Sequence, residues 1–197
     1  MGDAHSVESF NRIADRYDRH WGQFGCRRAD PEVLAAAGPH QPGRVLDVGC
    51  GTGRLLRLAA ERWPDADLIG VDPAAEMIRV ARGKLPRATL LVAGAELLPC
   101  DDASIDLVLS TTAFGHWADQ SAGLREIARV LTPTGTLVLA EHTPPPRWLR
   151  PVVKVLGEPP AHRTESELRA LLAGAGLRVR AAKRVSGGLL LITADLG

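Results

Sequence analysis

A chain of 197 residues has room for one domain with a sizeable core and too little for two. Its composition, 45% hydrophobic and 24% charged, excludes long intrinsic disorder. With 24 Lys and Arg against 23 Asp and Glu, a formal net charge of +1, it has no basic footprint for nucleic acid or an anionic membrane, which leaves a small molecule as the expected partner.

Residues 1–40 read as a helical cap outside the main fold, with Phe10, Ile13 (beside Ala14), Tyr17 and Trp21 on one helical face. The opening stretch is charged and lacks an apolar signal core, and no window approaches eighteen apolar residues, so neither export nor a membrane span is expected. Cys26, Cys50 and Cys100 are odd in number and form no CxxC pair. That pattern fits neither a disulfide framework nor a metal site, and a cytoplasmic location is the expectation. Nothing in the sequence sets the oligomeric state.

From Arg44 onward the texture of a single core, residues 41–197, begins. Short apolar runs at 44–49, 66–72, 88–94, 105–111 and 135–142 lack strict polar alternation, as strands buried on both faces of a parallel sheet do. Between them lie helical spacings: Met77, Val80 and Ala81, then Leu124, Ile127, Ala128 and Leu131. This alternation predicts a doubly wound α/β sandwich. A proline-rich stretch follows, then a helix opened by Thr164 and Glu167 at capping-box spacing and stopped by Gly174 and Gly176. The last two runs, RVRAAKRV and LLLITADL, are separated only by Ser186-Gly187-Gly188, too short for a parallel crossover, so an antiparallel hairpin closes one edge of the sheet.

The stretch VLDVGCGTG, Val45 to Gly53, places Gly49, Gly51 and Gly53 at alternate positions directly after the first strand. Glycines there serve tight turning or a ligand lying against the backbone, at the carboxyl edge of the sheet. Asp72 closes the second strand nineteen residues after Gly53, where a carboxylate accepts both hydroxyls of a ribose. Together they predict an adenosine-bearing cofactor. Counted from Gly49 the run is GxGxG, with Arg54 where a dinucleotide fingerprint has its last glycine.

Here the chain resembles the class I S-adenosylmethionine-dependent methyltransferases, whose first motif, D/E-x-G-x-G-x-G, is matched by Asp47, Gly49, Gly51 and Gly53. AELLPCDDASIDLVLS and REIARVLTPTGTLVLAE are similar to two further motifs of that family, and the resemblance runs in order over about 44–142. It implies a Rossmann-like, seven-stranded, mostly parallel sheet with an antiparallel C-terminal hairpin and helices on both faces. The cofactor it implies is S-adenosylmethionine, giving S-adenosylhomocysteine as product.

By the same resemblance Asp47 and the backbone of Gly49, Cys50, Gly51 and Gly53 hold the methionine end, Asp72 the ribose, and Ala95 with Glu96 the adenine side. Pro73, Met77 and Thr111 belong to the same cofactor site. Where many relatives carry an acid before Ala95 this chain has Gly94, which leaves the adenine amino group without its usual partner. Pro99-Cys100 is similar to a nucleophile dipeptide of cytosine-C5 methyltransferases, but it precedes the fourth strand and reads better as a packed thiol.

The reaction implied is methyl transfer to a small, partly apolar acceptor through an O, N or C atom, with acceptor contacts expected from Tyr17, Trp21, His142 and Trp148. His116, just past the fourth strand, is the candidate general base. The alternative is that its ring touches cofactor or opens the next helix, and His142 is the runner-up base. Two other readings stay open: a non-catalytic module that binds S-adenosylmethionine or a partner, and a nicotinamide-dependent oxidoreductase, against which Arg54 and the closing hairpin count.

Overall fold

Each apolar run becomes a strand because both of its faces are covered. In the computed structural model, which describes residues 3–19, 23–39, 41–145 and 161–197, these are β1 (Arg44–Val48), β2 (Asp67–Asp72), β3 (Thr89–Val92), β4 (Ile105–Thr111) and β5 (Leu131–Glu141). The hairpin adds β6 (Leu177–Arg184) and β7 (Leu190–Leu196). The sheet order is β3-β2-β1-β4-β5-β7-β6; β1 to β5 pair in parallel, and β7 lies antiparallel to both β5 and β6. The chain winds outward from β1 to β3 and returns to β4, so the crevice at the carboxyl ends of β1 and β4 is the topological switch point.

Alternate residues of the strands feed two apolar layers. Leu46, Val108, Leu137 and Ile192 pack under α5 (Gln120–Val130) and α6 (Glu165–Gly174), against Leu124, Ile127, Leu168 and Leu172. On the other face Val45, Leu107, Val138 and Leu191 meet α2 (Gln23–Ala36) and α3 (Arg54–Arg62) through Val33, Leu55, Ala59 and Trp63. Each such side chain, fully buried, contributes about 1.5–3 kcal/mol. The expected capping box opens α6: Glu167 N donates to Thr164 Oγ1 at 3.3 Å and Thr164 N to Glu167 Oε2 at 2.8 Å.

Two boundaries differ from the sequence reading. Leu131, placed above on the helical face before the fifth strand, is instead the first residue of β5 and pairs with Ile105. An irregularity in register follows, and a side chain at Gly135 would meet Ile105 O at 2.9 Å, which is why the turn keeps glycine there. Of residues 1–40, α2 packs into the sheet, whereas α1 (Asp3–Ile13) and a 3-10 turn (Ala14–Arg19) lie over α4 (Ala75–Lys84), where Phe10, Ile13 and Tyr17 gather on Met77 and Val80. Trp21 and Trp148 lie outside the described residues.

Candidate active site

The glycine loop leaves β1 with Gly49 in the left-handed region at φ 78°, and a Cβ there would lie 2.3 Å from Ala113 Cβ, so the loop following β4 presses directly on it. Gly53 serves packing: a Cβ would strike Leu85 at 2.7 Å, and it lines neither cavity of the site. Cys50 turns its sulfur in among Leu56, Ile78 and Leu85. Burial, with Asp47 and Asp72 nearby, pushes its thiol well up and keeps it protonated.

Asp72 ties this loop to α4. Its Oδ2 accepts from Gly51 N at 2.9 Å and its Oδ1 from Ala74 N at 2.9 Å. Burial raises its pKa, with the two backbone hydrogen bonds pulling the other way. Asp72 lines the main cavity described below, and each oxygen retains acceptor capacity for a further donor. Asp47 is only 2% exposed and no hydrogen bond from the described residues offsets its charge; burial and then the neighbouring Asp72 carboxylate push it up to about 8. Below about pH 8 such a carboxylate stays neutral, and a cation that comes to it favours the ionised form.

A main cavity runs from Asp72, Pro73 and Met77 past Gly94, Ala95 and Glu96 to Thr111, His116 and Trp117. A second, holding Asp47 and Cys50, adjoins it and shares Tyr17, Gly49, Gly51, Thr111 and Thr112. Thr111 Oγ1 is buried with no hydrogen-bond partner among the described residues. Thr112 has φ 56°, a strained conformation for a β-branched residue, held by its N donating to Ala140 O at 2.8 Å. Thus every cofactor residue expected from the sequence except Gly53 lines one cavity or the other. His142 lies away from both, edge-on to His162.

Two lining residues owe their place to a nearby glycine. Trp117 lies on Gly123, where a Cβ would be 2.6 Å from its ring, and stands edge-on to Phe114 at 4.9 Å. Glu96 folds back over Gly94: its Oε2 is 2.6 Å from the place of a Cβ on Gly94, while Oε1 accepts from Asp119 N at 3.1 Å. The missing side chain at 94 is what makes room for it.

The cap closes the cavity from above. Phe10 stands edge-on to His116 at 5.1 Å and to Tyr17 at 6.0 Å. Asn11 Oδ1 accepts from Glu76 N at 3.0 Å, Asp15 pairs with Arg79 at 2.6 Å, and Asp18 takes Lys84 at 2.5 Å and the Thr52 hydroxyl at 2.5 Å. The cavity beneath measures about 90 Å³.

The site fits S-adenosylmethionine on its own chemistry: a carboxylate held by two backbone donors, a second, deeply buried carboxylate and a hydroxyl with no partner among the described residues converge at the glycine loop. Among the described residues no group of His, Cys, Asp and Glu is arranged to hold a metal ion, and no helix is long and apolar enough to cross a membrane.

Comparison with known proteins agrees with this geometry. Residues 46–139 match the family described as a methyltransferase domain. An uncharacterised methyltransferase of Mycobacterium tuberculosis is 38% identical over 151 residues, 76% of this chain and 59% of that protein. A demethylmenaquinone methyltransferase of Deinococcus radiodurans is 39% identical over 153 residues, 70% of this chain and 60% of that protein. The chain therefore spans about three fifths of the length of these relatives. A solved S-adenosylmethionine-dependent methyltransferase from Aquifex aeolicus shares the fold, with a TM-score of 0.76 at 21% identity over 95% of this chain and 98% of that one.

Proposed function

The chain belongs to the class I S-adenosylmethionine-dependent methyltransferases, and on that premise we propose that it methylates a small, partly apolar acceptor, with a hydroquinone-like ring the first to test. The observation that carries the cofactor half is Asp47, a buried carboxylate beside a second carboxylate and with no hydrogen-bond donor among the described residues. The cofactor supplies an already activated sulfonium methyl, so the chain has to bind, orient and keep water out.

In this reading Asp47 meets the positively charged methionine end and Thr111 donates its hydroxyl nearby. Asp72 takes the ribose hydroxyls, its carboxylate fixed in advance by Gly51 and Ala74. Glu96 reaches the adenine amino group from the space that Gly94 vacates, and Trp117 forms the wall for the ring. The acceptor lies between the cap and the carboxyl end of β4, bounded by Phe10, Tyr17 and His116. Those aromatic and imidazole rings suit a flat ring with polar substituents. The similarity to a demethylmenaquinone methyltransferase supports trying a hydroquinone first.

Calorimetry decides the cofactor. S-adenosylhomocysteine is expected to bind in the micromolar range or tighter and NAD not to bind; the reverse would remove the reading. Turnover of methyl-labelled cofactor with a panel of phenols, hydroquinones and amines then names the acceptor.

A further inference from the structure

Glu141 ends the apolar strand β5, is 3% exposed and lines neither cavity of the site. Its place in the sheet needs no charge: its partner in β7 is Leu190, and an apolar residue there would escape the cost of taking a carboxylate out of water. The carboxylate collects backbone instead. Oε2 accepts from Gly115 N at 3.0 Å, Oε1 accepts from His142 N at 2.7 Å, and a third hydrogen bond comes from the backbone of Phe114.

The turn Phe114–His116 is held on its other side as well. The buried Gln120 amide donates to Phe114 O at 3.1 Å and to Ala161 O at 2.8 Å, while Ala161 N donates to Gly115 O at 2.8 Å. The backbone N–H and C=O groups of Phe114 and Gly115 are thereby all paired, and a buried polar network with every bond made rigidifies what it holds. Phe114 and Gly115 lie outside the cavity, but Ala113, His116, Trp117 and Ala118 on either side of them line it. Ala113 bears on Gly49, where a Cβ would lie 2.3 Å from its own, and Trp117 stands edge-on to Phe114 at 4.9 Å.

We propose that Glu141 is a positioning residue for the acceptor: by holding Phe114 and Gly115 it sets where His116 and Trp117 stand in the cavity wall, an inference that rests on the methyl-transfer reading above. Without the carboxylate the N–H groups of Phe114 and Gly115 would be buried with no acceptor, a costly state that the turn escapes only by shifting, and the wall shifts with it.

The grip varies with pH. Burial raises Glu141 to about 7 against the hydrogen bonds from Gly115, His142 and Phe114, which favour the ionised form. The titratable groups around it are His162, whose Nδ1 lies 3.7 Å from Oε1, His142, edge-on to that ring at 5.6 Å, and His116 in the turn, with Arg163 engaged by Gln120 at 2.7 Å. Burial, with His142 and His116 alongside, brings His162 down to about 4, so it is neutral where Glu141 titrates; burial lowers His142 as well. Below about pH 7 the Glu141 carboxyl carries a proton and accepts less strongly, and the turn loosens. The acceptor's kcat/KM is therefore expected to rise with pH through about 7.

The test uses the whole chain in two arms. The first needs no acceptor: in NMR spectra the Gly115 amide and Trp117 indole signals are expected to shift together through about pH 7, and neither to do so in Glu141→Gln. A Gly115 amide that does not titrate, or one that titrates while Trp117 stays still, overturns the proposal. In the second arm methyl transfer to 1,4-dihydroxynaphthalene is followed across pH, with S-adenosylhomocysteine affinity measured in each variant. Support is an acceptor kcat/KM lowered about tenfold or more in Glu141→Gln, with the rise through pH 7 flattened and S-adenosylhomocysteine affinity kept within about threefold. A kcat/KM within about threefold of wild type with an unchanged pH profile overturns it, and so does an equal loss of S-adenosylhomocysteine affinity, which would make the carboxylate a general support of the fold. Glu141→Asp, which keeps the charge one methylene short of the turn, is read against the same limits if Glu141→Gln does not fold. A wild type that fails to bind S-adenosylhomocysteine, or binds it and leaves the naphthalene unmethylated, strikes the reading above instead, and the NMR arm then decides whether Glu141 sets the wall.

Discussion

On the β1–β2 side of the crevice, the cavity is lined chiefly by loop backbone and by the carboxylates of Asp47 and Asp72, at the ends of two adjacent strands. On the β4 side it is lined by side chains gathered from α1, the 3-10 turn after it and the stretch that follows β4, among them Phe10, Tyr17, His116 and Trp117. The first half is written in backbone geometry, so any change there disturbs the path of the chain. The second is written in side chains carried on a frame that does not depend on them, so acceptor preference can change without changing the fold.

Removing residues 1–22 breaks the comparison most severely. The core, with Asp47, Asp72 and the glycine loop intact, is expected to stay folded and to bind S-adenosylhomocysteine, while turnover falls by at least about a hundredfold because acceptor positioning and water exclusion are lost. Circular dichroism and calorimetry check the first part and labelled-methyl transfer the second; a chain that simply unfolds would make the cap structural.

Next in size is Asp72→Ala, which removes charge-assisted hydrogen bonds of about 1.5–3 kcal/mol each and unties the loop from α4. Cofactor affinity should drop at least about tenfold, with kcat at saturation little altered. An unchanged dissociation constant in a folded variant would dissolve the division between the halves.

A third outcome concerns pH. Asp47 is raised to about 8, so the free protein binds this proton more tightly than the unfolded chain does. That contribution to stability is full below the ordinary carboxylate range and is lost as pH rises through about 8. A cationic ligand reverses the preference, because it needs the ionised form. S-adenosylmethionine affinity is therefore expected to weaken by up to about tenfold per pH unit below 8, with a proton released on binding. Calorimetry in buffers of different ionisation enthalpy reads that proton, and Asp47→Asn should abolish it.

The smallest effect belongs to the cap latch. Burial works to raise Asp18, but hydrogen bonds from Lys84 and Thr52 outweigh it and hold the carboxyl below its ordinary value. The Lys84 pair is half exposed and worth at most about 1 kcal/mol, so Lys84→Met should leave the melting temperature within about 4 °C while cofactor exchange quickens. Stopped-flow displacement at low and high salt measures it.

The two halves were also unequally legible in the sequence. Asp47, the glycines and Asp72 sit at fixed intervals because one strand-turn-helix unit and the next strand place them, and a local constraint leaves a local spacing. The antiparallel hairpin was legible for the same reason, since a three-residue link permits nothing else. Leu131 was misplaced because helical spacing continues into β5, and only pairing with Ile105 ends the helix there. Glu141 and His162 meet through Gly115 and Gln120, and no interval in the chain encodes that meeting. The one available signal was a carboxylate at the end of the apolar run LVLA.

The position of β7 bears on how the protein is made. It is paired along its length with β5 on one side and β6 on the other, yet it is the last strand of the seven to be synthesised. At about 5–20 residues per second, roughly 2 to 10 seconds separate the emergence of Glu141 from that of Leu190. Throughout that interval β5 offers the apolar edge Leu137-Val138-Leu139-Ala140 to any strand in reach. The sheet therefore closes only when its final strand slides into the gap between β5 and β6.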